Sequence, residues 1–270
     1  MRIKAIVFDS AGTLVNVFRV IKDLDTEEYI YDTPSTYLVS EKNSRVLVAI
    51  NEDLKTVFLE EGNELISSSN FDFEISCSVP SIDKKDVFKS IKRDKRAKIF
   101  EIKDVIEKNL STTKSKKSYY GFGLILDILL KEKTITHVLS TSGDHFDNVP
   151  TLLEKLKKDF DIYIATGDTK KSAKKLAETL GVEEEMIFPL ATPKIKEDII
   201  NELKEHYESV TMVGDGINDL LAFKASDLSI LSTQQKQKIP EILVESVDYV
   251  VDDLLDILKI SDFQLAFKNL

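Results

Sequence analysis

"SVTMVGDGINDLLAFKASDLSIL", residues Ser209–Leu231, sets the fold class. "VTMV" is a short apolar run that stops at Gly214-Asp215-Gly216. "LLAFKASD" then reads as a helix and "LSIL" as the next strand. A strand, a glycine-bounded acidic turn, a helix and another strand make one step of a parallel α/β sheet. Ligands of such sheets sit at the carboxyl ends of the strands. Asp215, Asn218 and Asp219 therefore stand where a ligand would be met.

The alternation continues outward in both directions. Upstream, "PKIKEDIINELKEHY" (193–207) and "TKKSAKKLAETLGV" (169–182) read as amphipathic helices, separated by the short strand-like "EEMIFPLA" (184–191). "FDIYIATGD" (160–168) and "THVLSTSGD" (136–144) read as strands, the latter followed by a helix at "VPTLLEKLKKD" (149–159). Downstream lies one more short strand, "VDYVV" (247–251). At the other end of the chain, Ile3 to Phe8 is a β-branched, nearly continuous apolar run. It has the look of a strand buried on both faces. The expected class is α/β, a Rossmann-like doubly wound parallel sheet.

Between these parts the texture differs. "TYLVS" (36–40), "RVLVAI" (45–50) and "KTVFLEEG" (55–62) read as short strands. A helix over 81–100 would be capped by Ser81 and bury Val87, Ile91 and Phe88; "FEIKDVIEKNL" (100–110) reads as another. "STTKSKK" (111–117) reads as a polar joint. "YYGFGLILD" (119–127) reads as apolar packing near a hinge at Gly121 and Gly123. The expected organisation is a core of residues 1–15 plus 134–270, interrupted by an inserted α+β domain at 16–133.

Composition narrows the function. The 270-residue chain is 42% hydrophobic and 31% charged. A net charge of −10 argues against general binding to nucleic acid or a membrane surface. No run approaches the length of a membrane span. Cys77 is the single cysteine, so it forms neither an internal disulfide nor a multi-cysteine zinc site, and a cytoplasmic setting is expected. Oligomeric state is not written in any of these features.

Three carboxylates fall at predicted strand ends: Asp9 in "VFDSAGTLV" (7–15), Asp215 and Asp219. Packed together they repel unless a cation joins them. Hard oxygen ligands suit Mg²⁺. A hydroxyl, Thr166, and glycine-rich turns at neighbouring strand ends could hold phosphate oxygens, with a lysine neutralising charge. A carboxylate held against a metal-bound phosphate is oriented to attack phosphorus. Ser142 in "STSGD" competes with Thr166 as the hydroxyl, and Lys194 competes with Lys196 as the lysine.

In this order the motifs resemble the haloacid dehalogenase superfamily. Asp9 in "DSAGTL" resembles its nucleophile loop, Thr166 in "ATGD" its phosphate-binding hydroxyl, Lys196 in "PKIKEDI" its lysine, and "GDGINDLLAFKASDLSI" its acidic metal motif. Within the superfamily, "TGD", Pro-x-x-Lys and "GDGIND" look most like the phosphorylation domain of P-type ATPases. The resemblance implies a Mg²⁺-dependent hydrolase acting on a small phosphorylated substrate, with the insertion as a cap of C1 type. It implies catalytic roles for Asp9, Thr166 and Lys196. Ser10, Ala11, Gly12, Gly167 and Asn218 would surround the phosphate; Asp9, Ala11, Asp215 and Asp219 would surround the metal.

One residue departs from the pattern. Ordinary phosphatases of the superfamily carry a second aspartate where Ala11 stands, and P-type ATPases a threonine. That aspartate does acid–base work contributing roughly 10²–10⁴-fold. Its loss predicts a preference for leaving groups that depart as stable anions. Three alternatives stay open: a soluble ATP hydrolase like a P-type ATPase core, phosphonate C–P cleavage through a cap lysine, and a non-catalytic phosphate- or metal-binding regulator. Phosphonoacetaldehyde hydrolases also carry alanine at this position. Borohydride trapping with phosphonoacetaldehyde tests that second option.

Overall fold

The computed structural model describes residues 4–31, 33–78, 82–112, 119–236 and 239–260. The chain divides into two compact units. One comprises Met1–Val17, Asp144–Thr166 and Ala173–Leu270, the other Phe18–Gly143 and Gly167–Ser172. Among the described residues no helix is long and apolar enough to cross a membrane.

The first unit is built on a six-stranded sheet. Its spatial order is Tyr249–Val251, Leu228–Ser232, Ser209–Gly214, Lys4–Phe8, Phe160–Ala165, Ile187–Phe188. Every pairing is parallel. Lys4–Phe8 lies at the centre, which explains its unbroken apolar run: Ala5, Ile6, Val7 and Phe8 are all fully buried. Ala5, Val7, Val210 and Met212 pack with Ile199, Ile200 and Phe223. The α/β class and the parallel sheet read from the sequence are what the structure has.

The second unit is an α+β body. Its sheet runs in the order Tyr29–Ile30, Val15–Asp23, Ile135–His145, Tyr119–Asp127, Arg45–Ile50, Phe73–Ser78, with antiparallel pairing such as Leu124 opposite Val138. Alternation divides its side chains. Val46, Val48, Leu124 and Leu126 pack with Val87, Ile91, Ile102 and Ile106 of the helices Lys84–Arg93 and Ile99–Thr112. Leu47, Ile125 and Ile21 pack with Leu38 and Val39.

Four local expectations are corrected. "TYLVS" is not a strand but part of the helix Ser35–Ser40, entered from Pro34 and held by burial of Leu38 and Val39. "KTVFLEEG" contributes to the helix Leu54–Leu59, whose N-cap Asp53 accepts from the Thr56 amide at 2.8 Å. "THVLSTSGD" lies in the strand Ile135–His145 of the antiparallel sheet, not in the parallel one. Residues up to Gly143 therefore group with the second unit rather than with the core. Gly123 sits mid-strand, not at a hinge: a Cβ there would stand 2.4 Å from the Val48 carbonyl oxygen. The cap read at Ser81, residues 113–117 of the polar joint, Ile3, and residues 261–270 of the core lie outside the described residues. The helix read to start at Ser81 is capped by Asp83.

Candidate active site

Sheet register brings three chain segments out at one level. Phe8 pairs with both Val213 and Ile164, so Asp9-Ser10, Gly214-Asp215 and Ala165-Thr166 leave three adjacent strands side by side. The Asp9 amide still donates to the Val213 carbonyl at 2.8 Å. The chain then turns sharply: the Ser10 carbonyl accepts from Leu14 and Val15 at 2.9 and 2.8 Å. Gly12 makes the turn possible with φ of +93°. It is required for a second reason, since a Cβ on Gly12 would fall 1.8 Å from Asp215 Oδ2. The loop after Asp9 and the acidic turn are pressed together with no room for a methyl group.

The acidic turn has its own demands. Asp219 is fully buried, and its Oδ2 accepts from the amides of Asp215 and Gly216, both at 3.2 Å. A Cβ on Gly214 would come within 2.4 Å of that oxygen. Gly214 is thus part of the site's construction, legible only as the first glycine of "GDG".

Lys196 reaches the cluster from the first turn of the helix Pro193–Lys204, which Thr192 caps and Pro193 opens. Its Nζ donates to Asp9 Oδ1 at 2.5 Å and to Asp219 Oδ1 at 2.6 Å. Burial works against the ammonium, but Asp219 and Asp9 outweigh it and hold its pKa above the ordinary lysine value. Asp9, Asp215 and Asp219 offer carboxylate oxygens within 4.8 Å of one another, and all three are buried. When these are ionised, three negative charges lie close together in a desolvated place, where they repel one another. An all-oxygen donor set with that charge fits a hard divalent cation such as Mg²⁺.

Thr166 follows the neighbouring strand and is buried; its Oγ1 lies 2.7 Å from Ser10 Oγ. Nothing in the local sequence announces that hydrogen bond, which joins residues 156 positions apart. The competitors are placed elsewhere. Ser142 donates to Asn109 Oδ1 within the second unit, and Lys194 is exposed, paired with Glu197 and Asp198. Asn218 is half-buried in the acidic turn beside Gly216. Gly167 groups with the second unit, where its carbonyl accepts from Ser76 Oγ at 2.9 Å. Ala11 is half-buried and bridges to Val15, so only its backbone can serve a ligand. Thr13, which the sequence reading passed over, is fully buried in the same loop.

A parallel α/β sheet with buried carboxylates and a buried lysine gathered at its carboxyl ends defines a Rossmann-like catalytic core. Its family follows from comparison with known proteins: residues 3–227 match the family model of the haloacid dehalogenase-like hydrolases, and the chain belongs to that family and is a hydrolase. The chain is 36% identical over 262 residues to a "Soluble P-type ATPase-like phosphatase" of Methanocaldococcus jannaschii, covering 94% of this chain and 93% of that one. It is 33% identical over 108 residues to a "Copper-transporting ATPase" of Saccharomyces cerevisiae, covering 39% of this chain and 10% of that one. A crystal structure of a zinc-transporting PIB-type ATPase in the E2.Pi state is similar, with a TM-score of 0.47 and 15% identity. That match covers 99% of this chain and 42% of that one.

Proposed function

We propose that this hydrolase is a Mg²⁺-dependent phosphohydrolase that passes the phosphoryl group through Asp9 and prefers activated leaving groups. The observation that carries the proposal is the buried constellation of Asp9, Lys196, Asp219 and Asp215 beside Thr166 at the strand ends. The all-oxygen cluster supports Asp9, Asp215, Asp219 and the Ala11 carbonyl as the ligands of Mg²⁺. The ion, when bound, neutralises charge on the phosphate and on the carboxylates that repel one another.

Asp9 acts as nucleophile. Lys196 holds its Oδ1, which fixes the orientation of the carboxylate and offsets its negative charge. A carboxylate oxygen of Asp9 forms the new bond to phosphorus while the bond from phosphorus to the leaving oxygen breaks. The electron pair leaves with that oxygen. Water then attacks the aspartyl-phosphate, which frees orthophosphate and restores Asp9. Thr166 and the amides of the Ser10–Gly12 turn contact the phosphate oxygens, with Gly167 and Asn218 beside them.

Ala11 can neither give a proton to the leaving group nor take one from water. Acyl phosphates and ATP, whose leaving groups are stable anions, are the substrates least affected; alkyl monoesters are the most affected. The inserted unit serves as the cap that selects a small phosphorylated metabolite, and the single cysteine supports a cytoplasmic setting. The name of the archaeal relative, which couples "phosphatase" to "P-type ATPase-like", supports including ATP among the candidates.

The test is turnover of acetyl phosphate, ATP and a sugar phosphate with Mg²⁺, run beside Asp9→Asn. Acetyl phosphate and ATP should be hydrolysed faster than the sugar phosphate, and Asp9→Asn should lose all three. Rapid sugar-phosphate hydrolysis contradicts the leaving-group preference, and an active Asp9→Asn contradicts the nucleophile.

A further inference from the structure

In the second unit, the turn between the strands Tyr119–Asp127 and Ile135–His145 carries two leucines in succession, Leu129 and Leu130. Leu129 is 79% exposed, the most of any large hydrophobic side chain among the described residues, and Leu130 is 39% exposed. A single exposed leucine is ordinary. Two adjacent ones on a turn that the fold holds in place are not. The amide of Ile128 donates to the Ser44 carbonyl at 3.0 Å, and those of Leu129 and Leu130 donate to Asp127 Oδ1 and the Asp127 carbonyl, both at 3.2 Å. Thr134 Oγ1 donates to the Ser90 carbonyl at 2.6 Å and closes the far side. The leucines cannot turn inward while these bonds stand.

The surround of the turn is basic. Lys131 and Lys133 follow directly and are exposed. The exposed Arg93 donates to the Ile128 carbonyl at 3.2 Å. The Lys95 amide donates to the Glu132 carbonyl at 2.9 Å, and its ammonium meets the Glu132 carboxylate at 2.6 Å. Lys42 lies 3.9 Å from Asp127. Residues 84–98, which pack on the turn through these contacts, hold eight lysines and arginines against two aspartates, in a chain whose totals are 37 basic and 47 acidic. Of those two aspartates, Asp94 is buried and occupied by backbone amides.

We propose that this turn is a docking site for an anionic lipid bilayer. Leu129 and Leu130 enter the boundary of the hydrocarbon, and Arg93, Lys131 and Lys133 meet the lipid phosphates around them. A projecting apolar tip with a basic rim suits a bilayer better than an acidic protein. A specific protein partner would need a pocket shaped to the leucines and about 800 Å² of contact on each side. A bilayer admits the tip without a pocket. The net charge of −10 opposes general adsorption, so the attachment is confined to this turn, reversible and weakened by salt. It is independent of the reaction proposed above.

The chain has no tryptophan, so one introduced at the turn is a unique fluorophore. The experiment uses the full chain with vesicles of phosphatidylcholine alone or of equimolar phosphatidylcholine and phosphatidylglycerol. Leu129→Trp should shift to shorter wavelength on the anionic vesicles only. Leu59→Trp, at another exposed leucine of the same unit, should not shift. In cosedimentation, Leu129→Ser/Leu130→Ser should weaken binding on the order of tenfold. Lys131→Glu/Lys133→Glu should weaken it by on the order of 10–10²-fold at low salt. Both variants should keep the parent's melting temperature, since all four side chains are exposed. An unshifted Leu129→Trp would overturn the inference, as would vesicle binding that the Leu129→Ser/Leu130→Ser protein retains in full. A Leu129→Trp shift produced by soluble polyglutamate but not by anionic vesicles would assign the turn to an acidic protein and overturn it equally.

Discussion

The two units bury polar groups in opposite ways. In the second, Asp94, Asn109 and Lys22 are each met by named partners. Asp94, 1% exposed, accepts from the amides of Arg96, Ala97 and Ile135 at 2.9, 2.7 and 2.9 Å. Asn109 donates to the carbonyls of Phe18 and Ser140, both at 3.0 Å. Lys22 is met by Glu101 at 2.6 Å and Glu27 at 2.8 Å. In the first unit, three buried carboxylates gather within 4.8 Å of one another, two of them on the Lys196 ammonium. Buried polar groups that satisfy one another belong to architecture. Buried like charges gathered at one point mark a candidate ligand site.

That contrast breaks most sharply at Asp215. Asp215→Asn removes one of three repelling charges. Turnover with Mg²⁺ should fall by on the order of 10²–10³-fold, while the melting temperature in chelator should stay level or rise. A large loss of stability in chelator would mean that the cluster is structural. In the parent protein, Mg²⁺ should raise the melting temperature, and Asp215→Asn should abolish that rise.

Ala11→Asp works in the other direction. It restores a group that can donate and accept a proton, and sugar-phosphate hydrolysis should increase by as much as ~10²-fold. A folded, Mg²⁺-binding variant with no gain contradicts the part assigned to this position.

In the second unit, Asp94→Ala leaves three buried amides without their acceptor and should destabilise the protein by about 2–3 kcal/mol. Because Asp94 serves architecture, kcat of the folded fraction should not change. A smaller effect belongs to His137. Burial lowers its pKa from 6.5; Asp23 opposes the shift, Arg45 adds to it, and Asp25 and Glu41 oppose it again. A base held below its unfolded pKa favours the folded state above that value, and the contribution is lost as pH falls through about 6.5 toward the lower folded pKa. The parent should therefore lose melting temperature faster than His137→Gln on acidification. Parallel pH curves would remove the histidine from the account.

The same contrast explains what the sequence disclosed. The catalytic core was legible because its signals are local: an apolar strand ending in aspartate, "GDGIND", a Pro-x-x-Lys helix start. Each motif carries its own turn chemistry, as at Gly12 and Gly214. What escaped was non-local. "THVLSTSGD" followed by a helix looks like a parallel βα step, and only its pairing with Tyr119–Asp127 shows otherwise. "TYLVS" has strand-like composition, but burial of Leu38 and Val39 on a sheet face decides for a helix. The Ser10–Thr166 bond and the replacement of Ser81 by Asp83 as a helix cap likewise depend on atoms the local pattern does not specify.

The central claim is that Asp9 accepts the phosphoryl group. The direct measurement is mass spectrometry of acid-quenched protein after brief reaction with acetyl phosphate and Mg²⁺. The account predicts one added phosphoryl group on the peptide that contains Asp9, absent from Asp9→Asn and accumulating because Ala11 cannot assist its hydrolysis. Steady turnover with no such adduct, or an adduct that persists in Asp9→Asn, would contradict it.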